Sequence, residues 1–161
     1  MIAHLTAAMI AAHPPPFVPA WVDPSTVWAL EADTSAAVAL GALIGGYLGD
    51  VHPAWLVATA AVETGYTFEA RATGDRGRSL GLCQIRLATS RQSLPWITRA
   101  MLLDPVFNIV AAGVHYGRLI HRYGRRMAQA RYGCGFRCSG VTRGAKLKAA
   151  WFRQLTREVA P

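Results

Sequence analysis

The stretch that most constrains the fold begins at Asp104-Pro105. A capping acid is followed by proline at the first helical position, where the missing N–H costs nothing. Val106, Ile109, Val110, Gly113, Val114, Gly117, Ile120 and Tyr123 then recur at three- and four-residue steps, the period of an amphipathic helix. Gly124 can end that helix at Tyr123. The chain is therefore read as helical first. Of its 161 residues, 52% are hydrophobic and 16% charged, a balance that suits one domain with one core and argues against disorder over most of its length.

The remaining segments extend this reading. Residues 13 to 24, opening on His13-Pro14-Pro15-Pro16, read as extended or loop-like, since each proline removes a donor and restricts its predecessor. Residues 1–24 thus read as an arm, and 25–161 as one domain. Ser25 to Ala32 suits a short helix with Asp23 or Ser25 as cap, and Ser35 can cap a helix from Ala36 to Leu48. After the break at Gly49-Asp50-Val51-His52, Pro53 opens a helix over 53–65, with His52 in its cap region and Gly65 at its end. Residues 73–81, Thr-Gly-Asp-Arg-Gly-Arg-Ser-Leu-Gly, are too turn-rich for a helix and predict a small β-hairpin or ordered loop. Leu87 to Ser93 fits a helical turn or more, and 125–131 a short helix. Residues 133–140 fit a loop. A last helix runs from about Thr142 to Val159, with Leu147, Trp151, Leu155 and Val159 as its apolar stripe and basic residues around it. The fold class is mainly α, α+β in detail.

Charge divides the chain. Residues 1–62 hold no Lys or Arg, while 115–161 hold Arg118, Arg122, Arg125, Arg126, Arg131, Arg137, Arg143, Lys146, Lys148, Arg153 and Arg157 against Glu158. Such a half fits an anionic partner or a solvated face. Arg-Tyr-Gly at 122–124 and 131–133 is too short to make an RNA-binding repeat, and nucleic acid is not the expected partner. The apolar residues 1–12 lack the basic flank of a signal peptide. The uncharged run 36–49 falls short of the ~20 residues that span a bilayer, so no stable span is expected. Its Gly41 and Gly45 suit close packing of a core helix. His4, His13, His52, His115 and His121 show no metal spacing, and no metal or cofactor is expected. Cys134 and Cys138 can pair if the loop between them is tight, or stay free like Cys83.

One carboxylate stands out. In Ala58-Thr59-Ala60-Ala61-Val62-Glu63 an acid ends a run of small apolar residues in the last turn of a helix. Apolar surroundings and a helix C-terminus both favour a protonated carboxyl, which is what proton delivery to a glycosidic oxygen needs. A surface glutamate at a helix end is the plain alternative.

The text around Glu63 resembles the catalytic core of the soluble lytic transglycosylases. Glu63-Thr64-Gly65-Tyr66 is followed by Ala70, Gly77 and Ser79, then by Gly81-Leu82-Cys83-Gln84-Ile85. Leu103-Asp104-Pro105 with Asn108-Ile109, Gly113 and Tyr116, and then residues 128–135, are similar to the family's later motifs. The resemblance covers roughly residues 54 to 140. It implies a lysozyme-like helical domain in which Glu63 is the catalytic acid/base. It also implies that Ser79 and Gln84 line the glycan cleft and that Tyr132 hydrogen-bonds or orients the acid. Asn108 and Tyr116 match positions that are either structural or cleft-lining. Thr64, Cys83 and Gly133 stand where the family has serine, methionine and asparagine.

The implied activity is cleavage of the MurNAc–GlcNAc β-1,4 bond of peptidoglycan glycan strands, with 1,6-anhydromuramyl ends as product. The family works with one carboxylate, the substrate's acetamido group supplying nucleophilic help. A hydrolytic lysozyme would need a second acid, for which Glu69 and Asp75 are the candidates; both read more simply as solvated loop residues beside Arg71, Arg76 and Arg78. Two further readings are a non-catalytic lysozyme-fold component of a virion or secretion apparatus and a membrane-active basic protein. The place of action is expected to be the periplasm or cell wall. With no clear signal peptide and no separate wall-binding module, a phage-borne or partner-delivered enzyme is expected.

Overall fold

The computed structural model describes residues 32–65, 67–134 and 143–157. The expected arm over 1–24, the helix from Ser25, Tyr66, residues 135–140 of the loop expected over 133–140 and any Cys134–Cys138 bridge lie outside the described residues; Gly133 and Cys134, expected in that loop, are helical instead. Within them the chain is mainly helical, with one small antiparallel sheet. Helix α1 spans Ala32–Gly49 and α2 Pro53–Glu63. Strands β1 (Thr73–Gly74), β2 (Ser79–Leu80) and β3 (Ile85–Arg86) follow, then α3 (Leu87–Ser90) and a 3-10 turn at Met101–Leu103. Helices α4 (Pro105–Cys134) and α5 (Arg143–Arg157) complete the order.

Local chemistry explains the boundaries. The Ala54 N–H donates to His52 Nδ1 at 3.2 Å, ahead of Pro53. Asp104 Oδ1 accepts from the N–H groups of Val106 and Phe107 at 2.9 and 3.1 Å. Both caps satisfy donors that a helix start leaves open. The long helix breaks at Gly124, where φ is 76°, as its sequence leads one to expect. Helix α1 starts earlier than expected, at Ala32 rather than Ala36.

Helices α1 and α4 meet backbone to backbone. A Cβ on Gly113 would lie 2.2 Å from the Gly45 carbonyl oxygen, and one on Gly49 would lie 2.1 Å from that of Gly113. Gly41 and Gly45 thus do allow close packing, and Gly49, Gly113 and Gly117 extend the seam. Around it Val38, Ala42, Leu56, Ile109, Ala112 and Leu119 form the main core. A second cluster of Leu80, Ile85, Ile97, Leu102 and Ala111 sits beneath the sheet, and a third joins Ala54 and Ala58 of α2 to Leu155 of α5. Among the described residues no helix is long and apolar enough to cross a membrane.

The expected stripe on the last helix needs correction. Leu155 is buried and Trp151 packs against its cluster, as expected, but Leu147 is exposed and Val159 lies outside the described residues; Ala145, Lys148 and Phe152 complete the inward face. A lysine therefore occupies the middle of a buried helical face.

Candidate active site

The sheet follows α2 directly and carries half of the site. Its order is β1-β2-β3, with Gly74 opposite Ser79 and Leu80 opposite Ile85. The β1–β2 turn places Asp75, Arg76 and Gly77 at positive φ, and Gly81 opens the next turn at φ +67°. Only glycine fits there, because a Cβ would lie 2.3 Å from Asn108 Nδ2 and 2.5 Å from the Leu102 carbonyl oxygen.

Asn108 explains that crowding. It is fully buried, accepts from the Cys83 N–H at 2.7 Å, and donates to the carbonyls of Leu80 and Leu102 at 2.8 and 2.7 Å. One side chain thus pins both edges of the turn, and the segment before α4, to the long helix. Tyr116 is equally buried; its hydroxyl lies 3.3 Å from Thr59 Oγ1 and its ring stacks on Tyr132 at 4.2 Å between centroids. Of the two roles open from sequence for Asn108 and Tyr116, the structure selects the structural one. Their polar atoms are spent inside the core, beneath the cleft.

The cleft itself has a volume of about 550 Å³, within the usual range of ligand pockets. Glu63, Ser79, Gln84 and Tyr132 line it together, although they come from α2, the sheet and α4. Asp75, Arg86, His115 and Arg131 line it too. Gln84 sits at φ 46° and spends its amide donor on the carbonyls of Gly81 and Ala72, at 2.8 and 3.2 Å. It shapes the wall as much as it lines it. A more open depression between α1 and α4, lined by Leu48, Val114, Gly117, Arg118, His121 and Arg122, contains no carboxylate.

Glu63 is the last residue of α2. Thr64 terminates the helix behind it: its hydroxyl donates to the Ala60 carbonyl at 2.8 Å and accepts from the Phe68 N–H at 3.1 Å. The Thr64 hydroxyl therefore holds the turn that leads out of α2.

The immediate neighbour of Glu63 is a cation. Lys148 Nζ donates to Glu63 Oε1 at 2.5 Å; the lysine side chain is 2% exposed and the glutamate 24%. Two expectations are corrected here. Lys148 is no member of a solvated basic face, because its place on the inward face of α5 buries it. The apolar run before Glu63 does not leave the carboxyl among apolar groups alone, because Lys148 reaches it from the opposite helix. The signal was present in the spacing of Ala145, Lys148, Phe152 and Leu155, which share one helical face.

Tyr132 is corrected as well. Its hydroxyl donates to the Cys83 carbonyl at 2.9 Å and not to Glu63, while its ring centroid lies 4.8 Å from Lys148 Nζ. Tyr132 therefore reaches the acid only through the lysine, as a cation–π neighbour. Burial holds the Tyr132 and Tyr116 phenols well above the usual range, and it pushes the Cys83 thiol up to about 12. His115 moves the other way, down to about 4, through burial first and the nearby Arg118 cation second.

Asp75 is more than a solvated loop residue. It lines the cleft and is bound by Arg78 at 3.4 Å and by Arg86. Glu69 is exposed and does not line it. No group of three or more His, Cys, Asp or Glu side chains able to hold a metal occurs among the described residues. Comparison with family models, with curated proteins and with solved structures gives no match to this chain.

Proposed function

We propose that this chain is a peptidoglycan lytic transglycosylase with a lysozyme-like fold and Glu63 as its acid/base. One observation carries the reading: Glu63, Ser79, Gln84 and Tyr132, from three separate stretches of the sequence, border one cleft of about 550 Å³. A carboxyl beside hydroxyl and amide side chains suits a polyhydroxylated, N-acetylated glycan. Glu63 protonates the glycosidic oxygen between MurNAc and GlcNAc, and the C1–O bond breaks. The resulting carboxylate takes the proton of the sugar's 6-hydroxyl as that oxygen closes on C1. The hydroxyl is tethered to the reacting ring, so its effective concentration far exceeds that of a competing water. The proposed place of action is the periplasm or cell wall, with delivery by a phage particle or a secretion partner.

The test is incubation with purified peptidoglycan and mass analysis of the fragments. Anhydro products, about 18 mass units lighter than hydrolysis products, are expected. Intact glycan under all conditions overturns the reading.

Asp75 supports a second reading. As another carboxylate on the same cleft it is the residue a hydrolytic lysozyme would use. Its carboxylate oxygens are already engaged by Arg78 and Arg86 rather than free to hold a water, which favours the transglycosylase. Full yield of reducing ends, lost in Asp75→Asn, would reverse that preference.

A further inference from the structure

We propose that Lys148 is the proton store for Glu63, handing it a proton when glycan fills the cleft and taking one back at the end of the cycle. The inference rests on the transglycosylase reading. A lysine that is 2% exposed and 2.5 Å from the cleft-lining acid at the end of α2 is an expensive feature for a helix to carry. A surface role does not explain it.

In the open cleft, water still reaches Glu63, and an ionised pair is tolerated. Glycan displaces that water. Two opposite charges in a drier site cost more than a neutral amine beside a neutral carboxylic acid. Moving one proton from Nζ to Oε1 relieves that cost. It also removes a positive charge next to the sugar carbon that becomes positive as the C1–O bond breaks, which an ammonium would oppose.

The proton count closes. The ammonium gives a proton to the carboxylate, and the acid gives it to the leaving oxygen. The carboxylate next accepts the 6-hydroxyl proton and returns it to the amine. The reaction takes up no water and no external proton, so a sealed pair can run it. Lys148 acts through Glu63 without touching the sugar and is a positioning residue for the proton.

The surrounding groups leave the pair readable by pH. On α4, the Tyr116 and Tyr132 phenols stay protonated and His115 stays neutral above about pH 4. In the β2–β3 turn, the Cys83 thiol stays protonated up to about 12. Asp75 is tied to Arg78 and Arg86, and Arg131 lines the same cleft.

The experiment compares Lys148→Arg, Lys148→Met and wild type on purified peptidoglycan from pH 5 to 8. Arginine keeps the charge and a hydrogen bond but does not release its proton. Under the proposal Lys148→Arg loses about a hundredfold or more in kcat with KM little changed. Lys148→Met must draw its proton from solvent, and its rate rises as pH falls while wild type stays flat. A lysine that merely holds Glu63 in place would be rescued by arginine, so wild-type kcat in Lys148→Arg overturns the proposal. An unchanged pH profile in Lys148→Met does the same. If neither variant folds, nitrogen NMR of Lys148 Nζ in wild type decides, with saturating tetra-N-acetylchitotetraose as probe. An amine signal in the complex supports transfer and a persistent ammonium refutes it. Anhydro products from wild type that disappear in Glu63→Gln keep the transglycosylase reading standing whatever Lys148 does.

Discussion

Glu63→Gln separates chemistry from stability, and the structure changes what it should do. From the sequence alone the substitution keeps shape and deletes a titratable proton, so the fold should be untouched. With Lys148 buried beneath it, the same change leaves an ammonium without its counter-charge. Removing one partner of a buried pair costs about 3–5 kcal/mol. The glutamine oxygen can still accept a hydrogen bond and Glu63 is 24% exposed, so the lower end is the better figure. For a chain of this size that corresponds to a fall in Tm of roughly 6–12 °C, at about 2–4 °C per kcal/mol. Under the proposed mechanism, in which one group handles both proton steps, activity should drop on the order of a thousandfold or more. Thermal melts and turbidity clearing of cell walls read the two effects separately. Adding Lys148→Met to Glu63→Gln should restore much of the lost Tm without restoring activity. If Glu63→Gln melts with wild type, the buried pair does not contribute as argued; if it clears walls at the wild-type rate, Glu63 is not the acid.

Three further outcomes follow from particular contacts. Asn108→Ala strips partners from the Cys83 N–H and the Leu80 and Leu102 carbonyls, and should cost about 3 kcal/mol or more in urea unfolding. A loss below about 1 kcal/mol would mean the turn is held by other contacts. Tyr132→Phe keeps the stack on Tyr116 and the ring beside Lys148 but abandons the Cys83 carbonyl. It should therefore lower stability by about 1–2 kcal/mol and activity only modestly, and a loss of activity as deep as that of Glu63→Gln would place its hydroxyl on the acid after all. His115 has its folded pKa near 4, against 6.5 when unperturbed, so the fold favours the neutral ring. Its contribution is complete above about pH 6.5 and is lost as pH falls from there toward 4; denaturation midpoints between pH 7 and 4 should lose part of their slope in His115→Phe.

Local signals in the chain were legible because they act over a few residues. Asp104-Pro105, His52-Pro53 and Gly124 each set a helix boundary through their own backbone. The turn-rich run over 73–81 could not be helical, and it becomes the first two strands of a three-stranded sheet. The motif around Glu63 brought Ser79, Gln84 and Tyr132 to one cleft with it. What the sequence obscured was which residues beside the apolar stripe would share the buried face of α5. Trp151 and Leu155 of that stripe pack inward, but Leu147 is exposed, and Ala145, Lys148 and Phe152 complete the buried face. The choice depends on what α5 meets, and it meets the end of α2, where a carboxylate waits. A lysine looks misplaced on a buried face until its partner, eighty-five positions away in the chain, is in view.

That partner also explains why the floor of the site is so heavily built. An ion pair at the edge of a core is held only if neighbouring groups keep its geometry and exclude competing water. Tyr132 covers Lys148 with its ring and fixes itself to the Cys83 carbonyl; Cys83 in turn gives its N–H to Asn108. Tyr116 backs the Tyr132 ring and reaches Thr59 on the helix that ends in Glu63. The path thus runs from the acid through lysine, tyrosine, the turn backbone and asparagine to α4, and back through Tyr116 and Thr59 to α2. A loosening at Asn108 or Tyr116 should therefore be felt at Glu63, although neither residue faces the cleft.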